Sequence, residues 1–232
     1  EAALAALRAA RIPVVAVSGR AAGWCEDVAL NWPVDAVVGE NGACYMLREA
    51  DGSLSVRCVQ DEAERAANRR RLLNLAAEAL RRVPRAELAH DLSERLADIA
   101  IDYAERVGPL DDREVADIVS VFHEGGAHAQ PSSIHVNCWF GDFDKLTTTR
   151  LLMSERFGVD LDVEKAAWIY VGDAPNDAPM FGFFPHAVAV ANFRRFAGQV
   201  KTLPAYLTDG ERGAGFAEVA QAILDARGLR SG

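Results

Sequence analysis

The sequence predicts a doubly wound α/β domain that carries an inserted α+β module. Helices and strands alternate at both ends of the chain, and the strands there are short apolar runs, as in a parallel sheet covered by helices on both faces. Between the two ends, hairpins alternate with longer helices. We therefore expect a Rossmann-like core built from residues 1–44 and 143–232, and a separate module at residues 45–142.

The core segments each show the pattern of one element. The N-terminal segment EAALAALRAA is an amphipathic helix pattern, and IPVVAV is a short β-branched run. The expected helices cover 1–10, 21–32, 145–158, 176–184 and 214–227, and the expected strands cover 12–17, 34–39, 166–172 and 186–192.

The inserted module alternates hairpins with helices. Its expected elements are a hairpin over 43–60, a helix over 61–82, a strand over 97–104, a helix over 111–125, and strands over 127–130 and 132–139. In the last strand Ser133, His135 and Asn137 face one way, which makes a polar stripe on one side of the sheet. That stripe is either solvated or faces a ligand.

The composition excludes some classes of partner. Half of the 232 residues are apolar, and the formal net charge is -9, which argues against a nucleic-acid partner. The arginine-rich segment 65–82 alternates its cations with leucine and alanine at helical spacing, which indicates a solvated helix face. No apolar run reaches the roughly 18 residues that span a bilayer, so no membrane partner is expected.

The cysteines show no sign of a disulfide framework or a metal site. Cys25, Cys44, Cys58 and Cys138 lie far apart, with neither CxxC nor Cys/His ligand spacing. We expect reduced, mostly buried thiols in a cytoplasmic protein.

Two short polar features lie where open α/β sheets bind ligands. The first is Ser18-Gly19-Arg20, a turn after a strand, whose hydroxyl and exposed amides can donate hydrogen bonds to an oxyanion. Taken alone, it is also consistent with an ordinary turn. The second is Lys145 at the start of a helix, where a cation can neutralise a phosphate or a carboxylate, although a lysine in this position is usually solvent-exposed.

A third feature is the loop YVGDAPNDAPMF at residues 170–181. Gly172 permits a sharp turn after an apolar strand, and Asp173, Asn176 and Asp177 then bring three hard oxygen ligands into one loop. Mg²⁺ binds one or two carboxylates together with water and phosphate oxygens. Turn formation or helix capping explains one or two of these residues but not the whole pattern, so the loop predicts a Mg²⁺ site.

In this order, the three features resemble the motifs of the haloacid dehalogenase (HAD) superfamily of phosphatases. The resemblance implies catalytic roles for Ser18, which matches the motif that binds the phosphoryl group, and for Lys145, which matches the motif that positions phosphate and nucleophile. GDAPND matches the motif that completes the Mg²⁺ site, which implies Asp173 as the direct metal ligand and Asp177 as its support.

The resemblance narrows to the Cof-like branch, which includes sugar phosphatases and sucrose- or mannosylglycerate-phosphate phosphatases. In that branch an α/β cap lies between the second and third motifs, as residues 45–142 do here. It implies a small phosphate ester as substrate, a sugar phosphate in particular, and a cap that sets specificity. The implied substrate-binding residues are Gly19, Arg20, Asn41, Gly42, His135 and Asn176. The pattern leaves the particular ester and the oligomeric state open.

One part of the family pattern is absent from the sequence. The superfamily's first motif, DxDGT after a strand, carries the nucleophilic aspartate and the general acid, and this chain does not contain it. We expect it roughly 25–30 residues before Ser18, one βα unit upstream. The DxD sequences at 142–144 and 160–162 neither follow a buried strand nor precede Gly-Thr.

Two other interpretations remain open. Because the nucleophile is not among these residues, the chain could alternatively be a non-catalytic module that binds Mg²⁺ and a phosphosugar. Flavodoxin-like and receiver-like domains also bind Mg²⁺ through acidic loops, but the long insertion and the late GDxxND loop argue against them.

Overall fold

The computed structural model describes residues 1–229. Its strands are β1 (Val15–Val17), β2 (Ala36–Gly39), β3 (Cys44–Arg48), β4 (Leu54–Cys58), β5 (Glu87–Leu88), β6 (Ile99–Asp102), β7 (His128–Pro131), β8 (His135–Trp139), β9 (Ile169–Gly172), β10 (His186–Ala189) and β11 (Tyr206–Leu207). Its helices are α1 (Ala2–Ala9), α2 (Ala22–Asn31), α3 (Glu62–Arg82), α4 (Asp112–Glu124), α5 (Lys145–Leu152), α6 (Leu161–Glu164), α7 (Ala178–Phe183) and α8 (Arg212–Ala226). The sequence predicts most of these elements but not the short β5, β11 and α6.

The core contains two sheets. In the first, β1 pairs in parallel with β2, and β3 and β4 extend the sheet as an antiparallel hairpin. In the second, β9, β10 and β11 are all parallel. Within the described part of the chain, β1 and β9 each form the edge of their own sheet.

Helices cover both faces of the first sheet because side chains alternate along its strands. Val37 of β2 packs against Val28 of α2 on one face. Its neighbours Ala36 and Val38 pack against Leu152 of α5 on the other face. This arrangement confirms the prediction of a doubly wound α/β core.

A third sheet, antiparallel with the order β5-β6-β8-β7, belongs to the inserted module. Helices α3 and α4 cover one of its faces, where Leu72, Phe122 and Val136 share a hydrophobic core. The alternation along β8 therefore turns His135 and Asn137 to the opposite face.

The long helix α3 carries the arginine-rich segment. Leu72 and Ala76 are buried, whereas Arg70, Arg71 and Arg81 are exposed and lie on a solvated helix face. Arg69 differs, because it is half-buried and donates to the carbonyls of Leu92 and Arg95. In the part of the chain that the structure describes, no helix is both long and apolar enough to cross a membrane.

The strand pairing bears on the boundary of the inserted module. The hairpin of β3 and β4 lies within residues 45–142 for most of its length, yet β3 pairs with β2 of the core through Met46 opposite Val37 and Tyr45 opposite Val38. We therefore propose that the module begins after β4 and that the hairpin belongs to the core.

The cysteine expectation is wrong for one pair. Cys44 and Cys58 lie directly opposite each other in the β3–β4 register, with Cα atoms 3.9 Å apart, and form a disulfide. Cys25 and Cys138 are buried thiols, and burial raises the pKa of Cys25 to about 12. The sequence separation gave no indication of the pair, because only the hairpin register brings the two sulfur atoms together.

Candidate active site

The carboxyl ends of β1 and β9 face a cavity of about 370 Å³. Val17 at the end of β1 and Tyr170 and Val171 of β9 line it, so the cavity lies between the edges of the two core sheets. His135 and Asn137 of β8, in the third sheet, also line it. The cavity thus lies where an open α/β sheet binds its ligands.

The turn after β1 lies on the cavity wall. The amide of Ser18 donates to the carbonyl of Val38 (2.8 Å), and the Ser18 Oγ accepts from the amide of Arg20 (3.1 Å). This leaves the Ser18 O–H and the Gly19 amide for an anion. A Cβ at Gly19 would lie 2.8 Å from the Oδ1 of Asn41, so a larger residue here would have to displace that buried side chain.

Lys145 is the first residue of α5 and is almost fully buried. The start of the helix is fixed by a capping box in which Asp144 accepts from the amide of Thr147 (2.7 Å). The Lys145 Nζ donates to the Oδ1 of Asp177 at 2.6 Å. The lysine is therefore held at the cavity and not in solvent.

Asp177 is the most heavily bonded residue of the acidic loop. Besides Lys145, the Tyr170 hydroxyl (2.7 Å) and the amides of Asp173 (2.8 Å) and Ala174 (3.1 Å) donate to its carboxylate. Burial opposes its ionisation, but the Lys145 charge and these donors hold its pKa below the ordinary value. With every oxygen occupied, Asp177 supports the loop.

The carboxylate of Asp173, unlike that of Asp177, is not saturated by hydrogen bonds from the protein. Its carboxylate accepts a hydrogen bond from Asn192 (3.3 Å) and lines the cavity. Burial and the neighbouring Asp177 charge raise the pKa of Asp173. We call Lys145, Tyr170, Asp173 and Asp177 the loop cluster.

Asn41 and Gly42 lie behind the turn, and the described residues that line the cavity do not include them. The Oδ1 of Asn41 accepts from the Nδ2 of Asn176 (3.2 Å), which does line it. Gly42 has a φ of 107°, and a Cβ there would collide with the carbonyl of Asp144. Both residues therefore act through their neighbours, and we propose a supporting role for them in place of direct substrate contact.

A second buried charged group joins residues 91–98 to the turn after β1 and to Glu40. Arg95 donates to Asp91 through two nitrogens (2.9 and 3.0 Å) and to Asp98 (2.7 Å). It also donates to the carbonyl of Gly19 (3.4 Å) in the turn after β1. Glu40 accepts from backbone amides at residues 22, 96, 97 and 98. We call Glu40, Asp91, Arg95 and Asp98 the hinge cluster.

Glu105 links His135 of the third sheet to Arg20 of the core at the cavity. Its carboxylate accepts from Arg20 (3.3 Å) and bonds the Nε2 of His135 (2.9 Å). Burial lowers the pKa of His135. Asp102 lies close enough to share a cation with Glu105 and His135, but three backbone amides already donate to its carboxylate.

The structure thus brings Ser18, Gly19, Arg20, His135, Lys145, Asp173, Asn176 and Asp177 to one cavity. Sequence reasoning missed Asn192, although it follows β10 by three residues and so had the same positional signal as the acidic loop. It also missed Tyr170, Arg95 and Glu105, for which an apolar strand and two cap segments gave no signal.

Comparison with known proteins identifies the fold. No family model and no curated protein sequence matches the chain. Among solved structures, it resembles a HAD-superfamily phosphatase, BT1666 of Bacteroides thetaiotaomicron, at 18% identity and a TM-score of 0.60, with 98% of this chain and 86% of that chain covered. It also resembles the HAD subclass IIB sugar phosphatase BT4131, at 12% identity and a TM-score of 0.65, with 98% and 90% covered.

A third similar structure is the C-terminal domain of trehalose-6-phosphate phosphatase from C. albicans, at 13% identity and a TM-score of 0.67, with 97% of this chain and 82% of that chain covered. The chain therefore has the fold of the HAD superfamily, and its structural neighbours BT1666 and BT4131 are phosphatases of that superfamily.

Proposed function

We propose that the protein is a Mg²⁺-dependent phosphatase that hydrolyses a small phosphate monoester, a sugar phosphate in particular. The observation that carries the proposal is the convergence of Ser18, Lys145 and Asp173 on one cavity at the carboxyl ends of the core strands. The names of the structural neighbours, a sugar phosphatase and a trehalose-6-phosphate phosphatase, support the same class of substrate.

The acidic loop fits a hard divalent cation. Asp173 faces the cavity with a carboxylate whose pKa is raised by burial and by Asp177, so a cation there would offset an uncompensated charge. Asp177 is saturated by its protein donors and would hold the loop in place. Bound Mg²⁺ would supply charge neutralisation for the phosphoryl oxygens.

The side chains of the cavity then have distinct roles. The Ser18 hydroxyl and the Gly19 amide donate to phosphoryl oxygens, and the Lys145 ammonium offsets negative charge on phosphate and nucleophile. Since Asp177 holds the ammonium at 2.6 Å, that charge is oriented before the substrate binds. The cap residues close the site against water and contact the leaving group.

The nucleophile is the remaining requirement. The carboxylates that line the cavity in the described part of the chain are Asp173 and Asp177, which serve the cation and the lysine. We propose that the attacking aspartate comes from a strand upstream of this sequence, placed between the edges of β1 and β9. Its oxygen would attack phosphorus as the ester bond breaks, and a second carboxyl group would protonate the leaving alcohol and then activate water.

Hydrolysis of para-nitrophenyl phosphate by the full-length protein, with and without Mg²⁺, tests the proposal. We expect Mg²⁺-dependent turnover that falls to background in Asp173→Ala. The matched control is Asp162→Ala, an exposed carboxylate on α6 that should leave turnover unchanged. Turnover that persists in Asp173→Ala would contradict the assignment of the metal site.

The second candidate is a non-catalytic module that binds Mg²⁺ and a phosphosugar. The absence of a third carboxylate among the described cavity residues favours it. In that case the protein would bind inorganic phosphate and sugar phosphates without releasing phosphate from any ester in a broad panel.

A further inference from the structure

Two polar atoms on the cavity wall have no hydrogen-bond partner. Among the described residues, the buried side-chain atoms without a partner are the Nε of Arg20, the Oδ1 of Asn137 and the Nε of Arg150. The first two belong to residues that line the cavity, and Arg150 does not line it. A buried polar atom left unpaired is destabilising, so it requires a ligand or a water as its partner.

Asn137 of β8 lines the cavity from the third sheet. It is the middle residue of β8 and is only 1% exposed. The side-chain amide of Asn137 lies against the turn after β1, because a Cβ built on Gly19 would be 3.1 Å from the Asn137 Nδ2. His135, two residues before it on the same face, is already bonded to Glu105. The Asn137 amide therefore lies next to the phosphoryl site, and its oxygen is unpaired.

Arg20 reaches the same region from the core. Its Nη1 is paired with Glu105 at 3.3 Å, and its guanidinium group lies 5.8 Å from the ring centroid of Trp24. These contacts fix the plane of the guanidinium group and leave the Nε–H as an unused donor. The position is adjacent in sequence to Gly19, which again lies beside the phosphoryl site.

The two unpaired atoms have opposite roles in hydrogen bonding, because the Nε of Arg20 is a donor and the Oδ1 of Asn137 is an acceptor. A second anionic group would suit Arg20 but would be repelled by the oxygen of Asn137, and an ammonium group would do the reverse. Hydroxyl groups both donate and accept, so they satisfy both atoms and fit either orientation of the Asn137 amide.

We propose that Arg20 and Asn137 are specificity-determining residues that bind hydroxyl groups close to the phosphoester. This inference rests on the proposed function and assigns the selection of a hydroxylated ester over a plain alkyl ester to these two residues. Selection comes from the buried atoms, since an alkyl phosphate would leave both of them unpaired.

Binding of unreactive phosphonates to the full-length protein in the presence of Mg²⁺ tests the proposal, because a C–P bond is not cleaved by phosphoester hydrolysis. Calorimetry would compare methylphosphonate, butylphosphonate and 3,4-dihydroxybutylphosphonate. The last two share one carbon skeleton and differ only in two hydroxyl groups. We expect the dihydroxy compound to bind about tenfold more tightly than butylphosphonate, the effect of about 1.4 kcal/mol.

Variants assign the preference to the two residues. Asn137→Leu and Arg20→Lys should each reduce the tenfold preference to about twofold, while the affinity for methylphosphonate changes by less than about twofold. Arg150→Lys is the matched control, since it makes the same change at an orphan Nε outside the cavity, and it should keep the full preference. Thermal melting would verify that each variant is folded, and the wild-type comparison needs no variant.

The possible outcomes separate the two proposals. Equal binding of the two four-carbon phosphonates by the wild type, or a preference that survives in both folded variants, overturns the hydroxyl site and leaves water as the partner of these atoms. Failure of the wild type to bind methylphosphonate overturns the proposed function, and the hydroxyl site with it.

Discussion

The loop cluster and the hinge cluster are both buried groups of charge built around one cation, but they balance that charge differently. In the loop cluster Lys145 faces two carboxylates, and the hydroxyl of Tyr170 and two backbone amides assist it. In the hinge cluster Arg95 pairs with two carboxylates, those of Asp91 and Asp98, and a third carboxylate, that of Glu40, accepts hydrogen bonds from four backbone amides.

The carboxylate that carries uncompensated negative charge lies in a different environment in each cluster. In the loop cluster this charge lies on Asp173, which lines the cavity and is accessible to a metal ion. In the hinge cluster three carboxylates and one cation leave two surplus charges. Four backbone amides stabilise the charge on Glu40, and the other lies on Asp98, which is completely buried. Burial and the Glu40 charge raise the pKa of Asp98 to about 8, although Arg95 opposes the shift. A proton is therefore the neutralising species at the hinge, whereas a cation can serve that role at the loop.

The largest effect is expected from Arg95→Met. The substitution leaves the ionised Asp91 buried without its cation and removes the hydrogen bond that Asp98 accepts, so we expect the free energy of unfolding to fall by about 3–5 kcal/mol. Urea denaturation at pH 7 would measure it. Arg81→Met, which removes an exposed ion pair with Glu78, is the control and should leave the stability unchanged within error. A loss below about 1 kcal/mol for Arg95→Met would show that the hinge cluster does not hold the cap.

A smaller loss is expected from Lys145→Met. Asp177 keeps the Tyr170 hydroxyl and two amides as donors, so we expect a loss of about 2 kcal/mol in the free energy of unfolding. Binding of methylphosphonate should be lost at the same time. Lys201→Met, at an exposed position, is the control for both measurements. If the loss equals that of Arg95→Met, the two clusters do not differ in the redundancy of their donors.

The difference between the clusters also explains what the sequence could predict. The loop cluster is visible in the sequence because Asp173 and Asp177 are close in the chain and follow a strand, and Lys145 begins a helix that leads to the same edge. The two halves of the core were also predictable from local sequence, because short apolar strands that alternate with helices are typical of a parallel sheet covered on both faces.

The hinge cluster depends on contacts between segments far apart in the chain. Glu40 precedes Arg95 by more than fifty residues, and nothing in the pattern around either residue indicates that the two are buried together. The Cys44–Cys58 disulfide and the attachment of β3 to the core depend likewise on hairpin register, which a composition pattern does not reveal. Asn137 was visible as part of an alternating polar stripe, but its unpaired oxygen is a property of the folded cavity.

The finest test of the comparison is the pH dependence of stability in Asp98→Asn. The pKa of Asp98 rises from 3.8 to about 8 on folding, so between these values the folded protein holds a proton that the unfolded chain releases. Stability then falls as pH rises across this window, by up to about 1.4 kcal/mol per pH unit for one proton. Asparagine has no such proton, and it can keep a polar contact with Asn41.

Urea denaturation at intervals from pH 5 to 7.5 would therefore show a wild-type stability that declines more steeply than that of Asp98→Asn. Asp91 cannot produce the same slope, because its pKa lies below the ordinary value through its hydrogen bonds to Arg95 even though burial opposes ionisation. Such a lowered pKa adds stability above the unfolded value, so its contribution is already complete at pH 5. Parallel profiles for the wild type and the variant would mean that Asp98 is ionised in the folded protein as it is in the unfolded chain, and that no proton neutralises the hinge cluster.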